Sequence, residues 1–171
     1  MIKIVAYTKV LACIIFLTIV CNLLVGQPPK IRVLGGANVG FNFNTYNRIQ
    51  NGITYNDFTK LELNSNGTPA PNGWELTVRA LQANIGGSMT TYFLPVESIK
   101  VKAKKDGVEY TSYDLGTGEQ TIISGPETTL DKVIVEISYS CGTDSDPNYK
   151  MINKVPDYYA VDIEFTLRLK Q

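Results

Sequence analysis

Apolar and polar residues alternate with period 2 in two segments far apart in the chain. In the run Gly73–Ala80, Trp74, Leu76, Val78 and Ala80 fall on one side, and Glu75, Thr77 and Arg79 on the other. In the C-terminal run Tyr159–Leu169 the apolar side comprises Tyr159, Val161, Ile163, Phe165, Leu167 and Leu169. Each pattern predicts a strand with one buried face, and Trp74 and Phe165 are expected as buried aromatics on strands of one shared core. Shorter extended segments are expected at Val39–Phe43, Asp57–Leu63, Tyr92–Pro95, Ile99–Lys104, Glu109–Leu115 and Thr121–Ile123. Another is expected at Val133–Ser140, with Val133, Val135, Ile137 and Tyr139 turned inward.

Turn chemistry separates these strands. Asn64–Gly73 is a ten-residue loop containing Asn-Gly and two prolines, Asp106-Gly107 reads as a hairpin turn, and Gly86-Gly87-Ser88 and Gly116-Thr117-Gly118 interrupt the alternation. Gln27–Gly36 is an extended, proline-containing lead. No segment shows a convincing helical period, and no strand–helix–strand unit is visible. Eight or nine short strands between turns predict an all-β, antiparallel sandwich of Greek-key or jelly-roll type.

The N-terminus departs from this pattern. Lys3 and Lys9 precede Val10–Val25, which is apolar except for Thr18 and Asn22, and Gly26 is followed by Gln27-Pro28-Pro29. A basic start, an apolar stretch and a small residue before prolines predict a helical secretory signal over residues 1–26. Residues 27–171 then form one β-sandwich domain, exported to the cell surface or beyond. Two other readings give the segment a membrane role. An uncleaved anchor would be the chain's one membrane contact, but the 16-residue apolar run is short for a bilayer span. Lipidation at Cys21 would want a small preceding residue, where Val20 stands.

Composition narrows the chemistry. The chain has no histidine, which removes the usual general base, the Ser-His-Asp and Cys-His pairs, and imidazole metal ligands. Its 16 basic and 16 acidic residues balance, and losing Lys3 and Lys9 leaves 14 against 16, so a nucleic-acid partner is not expected. Lys100, Lys102, Lys104 and Lys105 are locally dense but interleave with Ile99, Val101 and Ala103, as the solvated face of one strand. Ser98-Ile99-Lys100 puts serine and lysine on a strand with nothing to lower a lysine pKa, and acidic residues such as Asp162 and Glu164 sit on alternating polar positions. Enzymatic activity and cofactors are therefore not expected.

Two smaller features remain. After removal of the signal, Cys141 is the one cysteine, expected as a small apolar residue ending its strand. Asp144, Asp146 and Asn148 are spaced like oxygen ligands of a calcium loop, but Tyr149 takes the place of the required glycine and no glutamate completes the set. The expectation there is a polar turn without metal.

The paired segments also carry a family likeness. Trp74-Glu75-Leu76-Thr77-Val78 resembles the proximal motif of WxL-type cell-surface domains. Tyr159, Ile163, Phe165 and Leu167 follow the spacing of that family's distal Tyr-x-x-x-Leu-x-Trp-x-Leu motif, with phenylalanine for the second tryptophan. The proline that commonly follows the distal motif is missing here, where the chain ends at Gln171. The resemblance implies a β-sandwich that attaches non-covalently to a cell-envelope polymer and assembles with other surface proteins. The motif positions are then Trp74, Leu76, Phe165 and Leu167.

Two further likenesses point elsewhere. Exported, histidine-poor sandwiches of this length include bacterial fimbrial and pilus subunits, in which Gln27–Phe43 would serve as a donor strand for self-assembly. A carbohydrate-binding adhesin module would use exposed tyrosines such as Tyr46, Tyr55, Tyr92 and Tyr113.

Overall fold

The computed structural model describes residues 27–152 and 154–171, so the expected signal lies outside the described residues. In chain order the elements begin with β1 (Lys30–Gly35), β2 (Gly40–Asn42), α1 (Tyr46–Asn51), β3 (Ile53–Asn64) and β4 (Trp74–Ala80). They continue with β5 (Asn84–Gly86), β6 (Phe93–Pro95), a 3-10 turn at Val96–Ser98, β7 (Ile99–Lys105), β8 (Val108–Glu109) and β9 (Tyr113–Asp114). The last four are β10 (Gln120–Gly125), β11 (Val133–Cys141), β12 (Tyr158–Ala160) and β13 (Ile163–Leu169).

These strands form an antiparallel sandwich. The larger sheet runs β1-β3-β11-β7-β8, with β9 also on β7, and the smaller sheet runs β10-β4-β13. Between the longer strands the chain passes repeatedly from one sheet to the other, and β11, late in sequence, inserts between β3 and β7. Inward side chains of the larger sheet include Leu61, Leu63, Val101, Val135 and Ile137, all fully buried. Trp74, Leu76 and Val78 of the smaller sheet join them in one continuous core. Two ribbons, β12-β2 and β5-β6, complete the fold and adjoin each other through a bridge between Gly87 and Tyr159.

The period-2 patterns place β4, β7 and β11 where the sequence puts them. Asp106 and Gly107 both have positive φ, as a tight turn between antiparallel strands needs, and Lys105 pairs with Val108 across them. Four expectations need correction. The strand expected from Asp57 begins at Ile53, because an irregularity between Tyr55 and Thr59 carries the pairing through. Asp57 forms its apex with φ 50, its N–H donating to Ser138 Oγ at 2.9 Å. Glu109–Leu115 is not one strand: β8 and β9 pair separately with different parts of β7.

A helix also appears where none was expected. Thr45, in extended conformation, accepts a hydrogen bond on its side chain from the Arg48 N–H, and Gly52 closes the turn with φ 75. The largest correction concerns Tyr159–Leu169, which is two strands in different sheets: β12 pairs with β2, and β13 pairs with β4. Tyr159 and Leu167 are buried, but Ile163, Phe165 and Leu169 are only half-buried, so Phe165 is not the buried aromatic that alternation predicts.

Candidate binding groove

The exposure of Phe165 has a structural cause. β13 ends the smaller sheet and β1 ends the larger one, the two approach each other, and no described strand covers the gap between them. The gap opens as a groove of about 600 Å³. Val33 of β1, Leu81, Val161, Ile163 and Phe165 supply apolar walls, and the connection Gly36–Val39 forms a further side. At its base the Tyr139 hydroxyl donates to Thr59 Oγ1 at 3.0 Å, and Thr59 in turn donates to the Gly36 carbonyl at 2.6 Å. Burial, only partly offset by that bond, pushes the Tyr139 phenol up to about 12, so it stays a neutral donor. Asp162 is the one carboxylate among the lining residues.

The end of the groove carrying Tyr158 is braced by a buried carboxylate. Asp157 accepts from Ser88 Oγ at 3.1 Å, from the Thr90 N–H at 3.0 Å and Oγ1 at 2.8 Å, from the Met89 N–H, and from the Tyr158 N–H at 2.7 Å. Burial alone would raise its pKa, but the bonds from Thr90, Tyr158, Met89 and Ser88 outweigh it and hold the carboxyl at about 2. Gly87 makes this approach feasible, since a Cβ there would stand 2.2 Å from Asp157 Oδ2. The loop so fixed presents Met89, Tyr92 and Phe93 to solvent.

The two sequence-distant motif segments prove to be neighbours. Trp74 lies opposite Leu169, Leu76 opposite Leu167 and Val78 opposite Phe165 on adjacent antiparallel strands. Trp74 and Leu76 are sealed in the core, and Trp74 Nε1–H donates to Glu127 Oε2 at 2.7 Å. Glu127 also pairs with Lys105 at 2.5 Å, and that lysine, followed by the protein bonds including Trp74, depresses its pKa. Phe165 and Ile163 reach the groove; Tyr159 lies in the neighbouring ribbon, its hydroxyl donating to the Val155 carbonyl at 2.7 Å.

Other expected positions have structural partners. Lys100 pairs with Asp114 and Asp144, Lys102 with Glu109, and Lys104 with Asp57 and Glu136, so the lysine row is an ion-pair lattice more than a solvated face. Those carboxylates raise the Lys100 pKa, the opposite of what a lysine base beside Ser98 would need. Asp144 accepts from the Asp146 N–H at 2.9 Å and from Lys100, which together pull its pKa to about 2, and Asp146 accepts from the Asn148 N–H at 2.9 Å. Asp144, Asp146 and Asn148 thus build consecutive turns, and no group of three or more metal-binding side chains occurs among the described residues. Cys141 is fully buried at the end of β11, and burial pushes its thiol up to about 12.

The groove itself is not written in any motif. Gly87 reads in sequence only as a turn residue, and nothing marks Asp157 as the acceptor that organises the loop. No protein-family model and no curated protein matches the chain.

Proposed function

We propose that the protein is an exported, non-enzymatic surface module that binds a cell-envelope glycan strand through the groove between β1 and β13. The observation that carries this reading is the groove's lining: apolar and aromatic side chains with hydroxyl and amide groups, and one carboxylate among the described residues. Such a surface suits stacking and hydrogen bonding to a neutral polymer, and lacks the converging titratable groups that acid–base chemistry needs. Phe165, a position of the WxL-like distal pattern, lies on that surface, which links the resemblance to a physical site.

The donor-strand alternative draws less support. It needs Gln27–Phe43 to be available to a neighbour, yet Lys30–Gly35 pairs along β3 and Gly40–Asn42 pairs with β12. Among the adhesin tyrosines, Tyr55 stacks on Phe41 at 5.5 Å and donates to the Gly40 carbonyl, which occupies both its face and its hydroxyl.

Pelleting with purified peptidoglycan tests the proposal. The chain is expected to sediment with the polymer and to lose retention on Phe165→Ala while keeping its fold by circular dichroism. Absence of wild-type sedimentation, or full retention by Phe165→Ala, overturns the groove reading.

A further inference from the structure

A sheet edge exposes unpaired backbone groups, and proteins commonly blunt it with bulges, short strands or charges. Three of the four edges of this sandwich are blunted by a bulge or by short strands. Register shifts interrupt β1 between Val33 and Gly35 and β10 between Thr121 and Ile123, and the far edge of the larger sheet consists of the two-residue strands β8 and β9. The fourth edge, β13, is seven residues long and pairs without a shift from Ile163↔Ala80 to Leu169↔Trp74.

The direction of its free groups follows from the flanking bonds. The Leu81 N–H donates to the Asp162 carbonyl, and the Lys170 N–H donates to the Gly73 carbonyl. Antiparallel alternation then turns the backbone groups of Glu164, Thr166 and Arg168 toward β4. Those of Ile163, Phe165, Leu167 and Leu169 point away from it, and no described strand pairs with this outer row.

We propose that this edge pairs with the same edge of a second copy of the chain, the two β13 strands running antiparallel about a two-fold axis at Thr166. The result is one continuous sheet of six strands, three from each copy. In the register that overlaps the whole strand, Thr166 faces the partner's Thr166, Phe165 faces the partner's Leu167, and Ile163 faces the partner's Leu169. The outward backbone rows coincide, and the half-buried Ile163, Phe165 and Leu169 acquire cross-strand neighbours, while Leu167 is already buried. Glu164 meets the partner's Arg168 on the outer face. That charge pair extends a pattern already present, in which Arg79 pairs with Glu164, and Arg168 with Glu75 and Glu119. A two-fold interface requires this self-complementarity, and the sequence of β13 supplies it. The inference does not rest on glycan binding, and the two compete: the partner's β13 lies along the edge that borders the groove, so the paired form closes the groove and the glycan-binding form is the monomer.

Sedimentation equilibrium and thiol cross-linking test the pairing on the purified chain. The wild type is expected to be a dimer that dissociates on dilution. Glu164→Arg alone and Arg168→Glu alone each place like charges opposite one another and should weaken association at least tenfold, whereas an equimolar mixture of the two variants should recover it. With Cys13 and Cys21 replaced by Ser and native Cys141 buried, Thr166→Cys should form a disulfide-linked dimer on mild oxidation, while Thr121→Cys, exposed on the bulged β10 edge, should not. Thermal melts establish that each variant is folded, and the cysteine pair keeps the test decisive if a charge variant is not. A wild type that stays monomeric, a mixture that fails to recover association, or equal cross-linking at positions 166 and 121 overturns the proposal.

Discussion

β4 and β13 lie side by side and carry the same alternation, yet one is sealed and the other is open. Trp74, Leu76 and Val78 are at most 1% exposed, whereas Phe165, opposite Val78, and Ile163, opposite Ala80, border a groove. The difference is lateral position. β4 has β10 on one flank and β13 on the other, so its side chains are enclosed; among the described strands β13 pairs with β4 alone, and β1 only approaches it across the groove. Period 2 tells which face of a strand is apolar and says nothing about how many strands lie beside it. The same stretch of hydrophobic pattern can therefore be core in the middle of a sheet and binding or pairing surface at its edge.

Replacing the two aromatics is the strongest way to break this comparison. Trp74→Ala removes a fully buried side chain and is expected to cost about 3–5 kcal/mol of unfolding free energy. Phe165→Ala removes a half-buried one and should cost about 1–2 kcal/mol, from the smaller apolar area involved. Urea unfolding of both variants measures the contrast. Equal losses would mean that β13 is as enclosed as β4 in solution.

Trp74→Phe sharpens the same point at smaller scale. The ring stays apolar, but Glu127 loses the indole N–H and keeps Lys105. The expected cost is about 1–3 kcal/mol. Adding Glu127→Gln, which can still accept from an indole in the wild-type background, should cost about 0–1 kcal/mol there, since the ion pair is partly solvated. A double-mutant cycle of Trp74→Phe with Glu127→Ala, which removes the acceptor, should show coupling, and additive losses would mean the bond at 2.7 Å contributes nothing.

How much of the fold is legible in the local sequence follows from the same physics. Alternation and turn residues found β4, β7, β11 and the Asp106-Gly107 hairpin, because each depends on local geometry that neighbouring residues dictate. The break between β12 and β13 was not legible, since Val161 keeps the alternation while the chain changes sheets. The α1 helix was signalled only by the Thr45 cap, too short a cue for a six-residue element. The groove depends on which strands end each sheet, and the Asp157 anchor on residues 67–69 positions away; both are non-local and leave no local signature.

Acid titration should produce the smallest and most local effect. The Asp157 carboxyl sits at about 2 in the folded chain against an ordinary 3.8. Its depressed value means that the charged form stabilises the fold; the contribution is complete above about 4 and is lost as pH falls toward about 2. Protonation weakens acceptance from Met89, Thr90 and Ser88 first, so the Gly87–Tyr92 loop should loosen while β4 stays intact. Amide hydrogen exchange followed at several acid pH values reads this directly, provided rates are corrected for the intrinsic pH dependence. Protection at Met89 and Thr90 should fall across that window, with Leu76 and Val78 unchanged. Asp144, also held at about 2, releases Lys100 and the Asp146 N–H over the same range, so an Asp157→Asn variant separates the two. In that variant, loop protection should be lower at neutral pH and insensitive to acid; a loop that still loosens between about 4 and 2 would place the responsible carboxylate elsewhere.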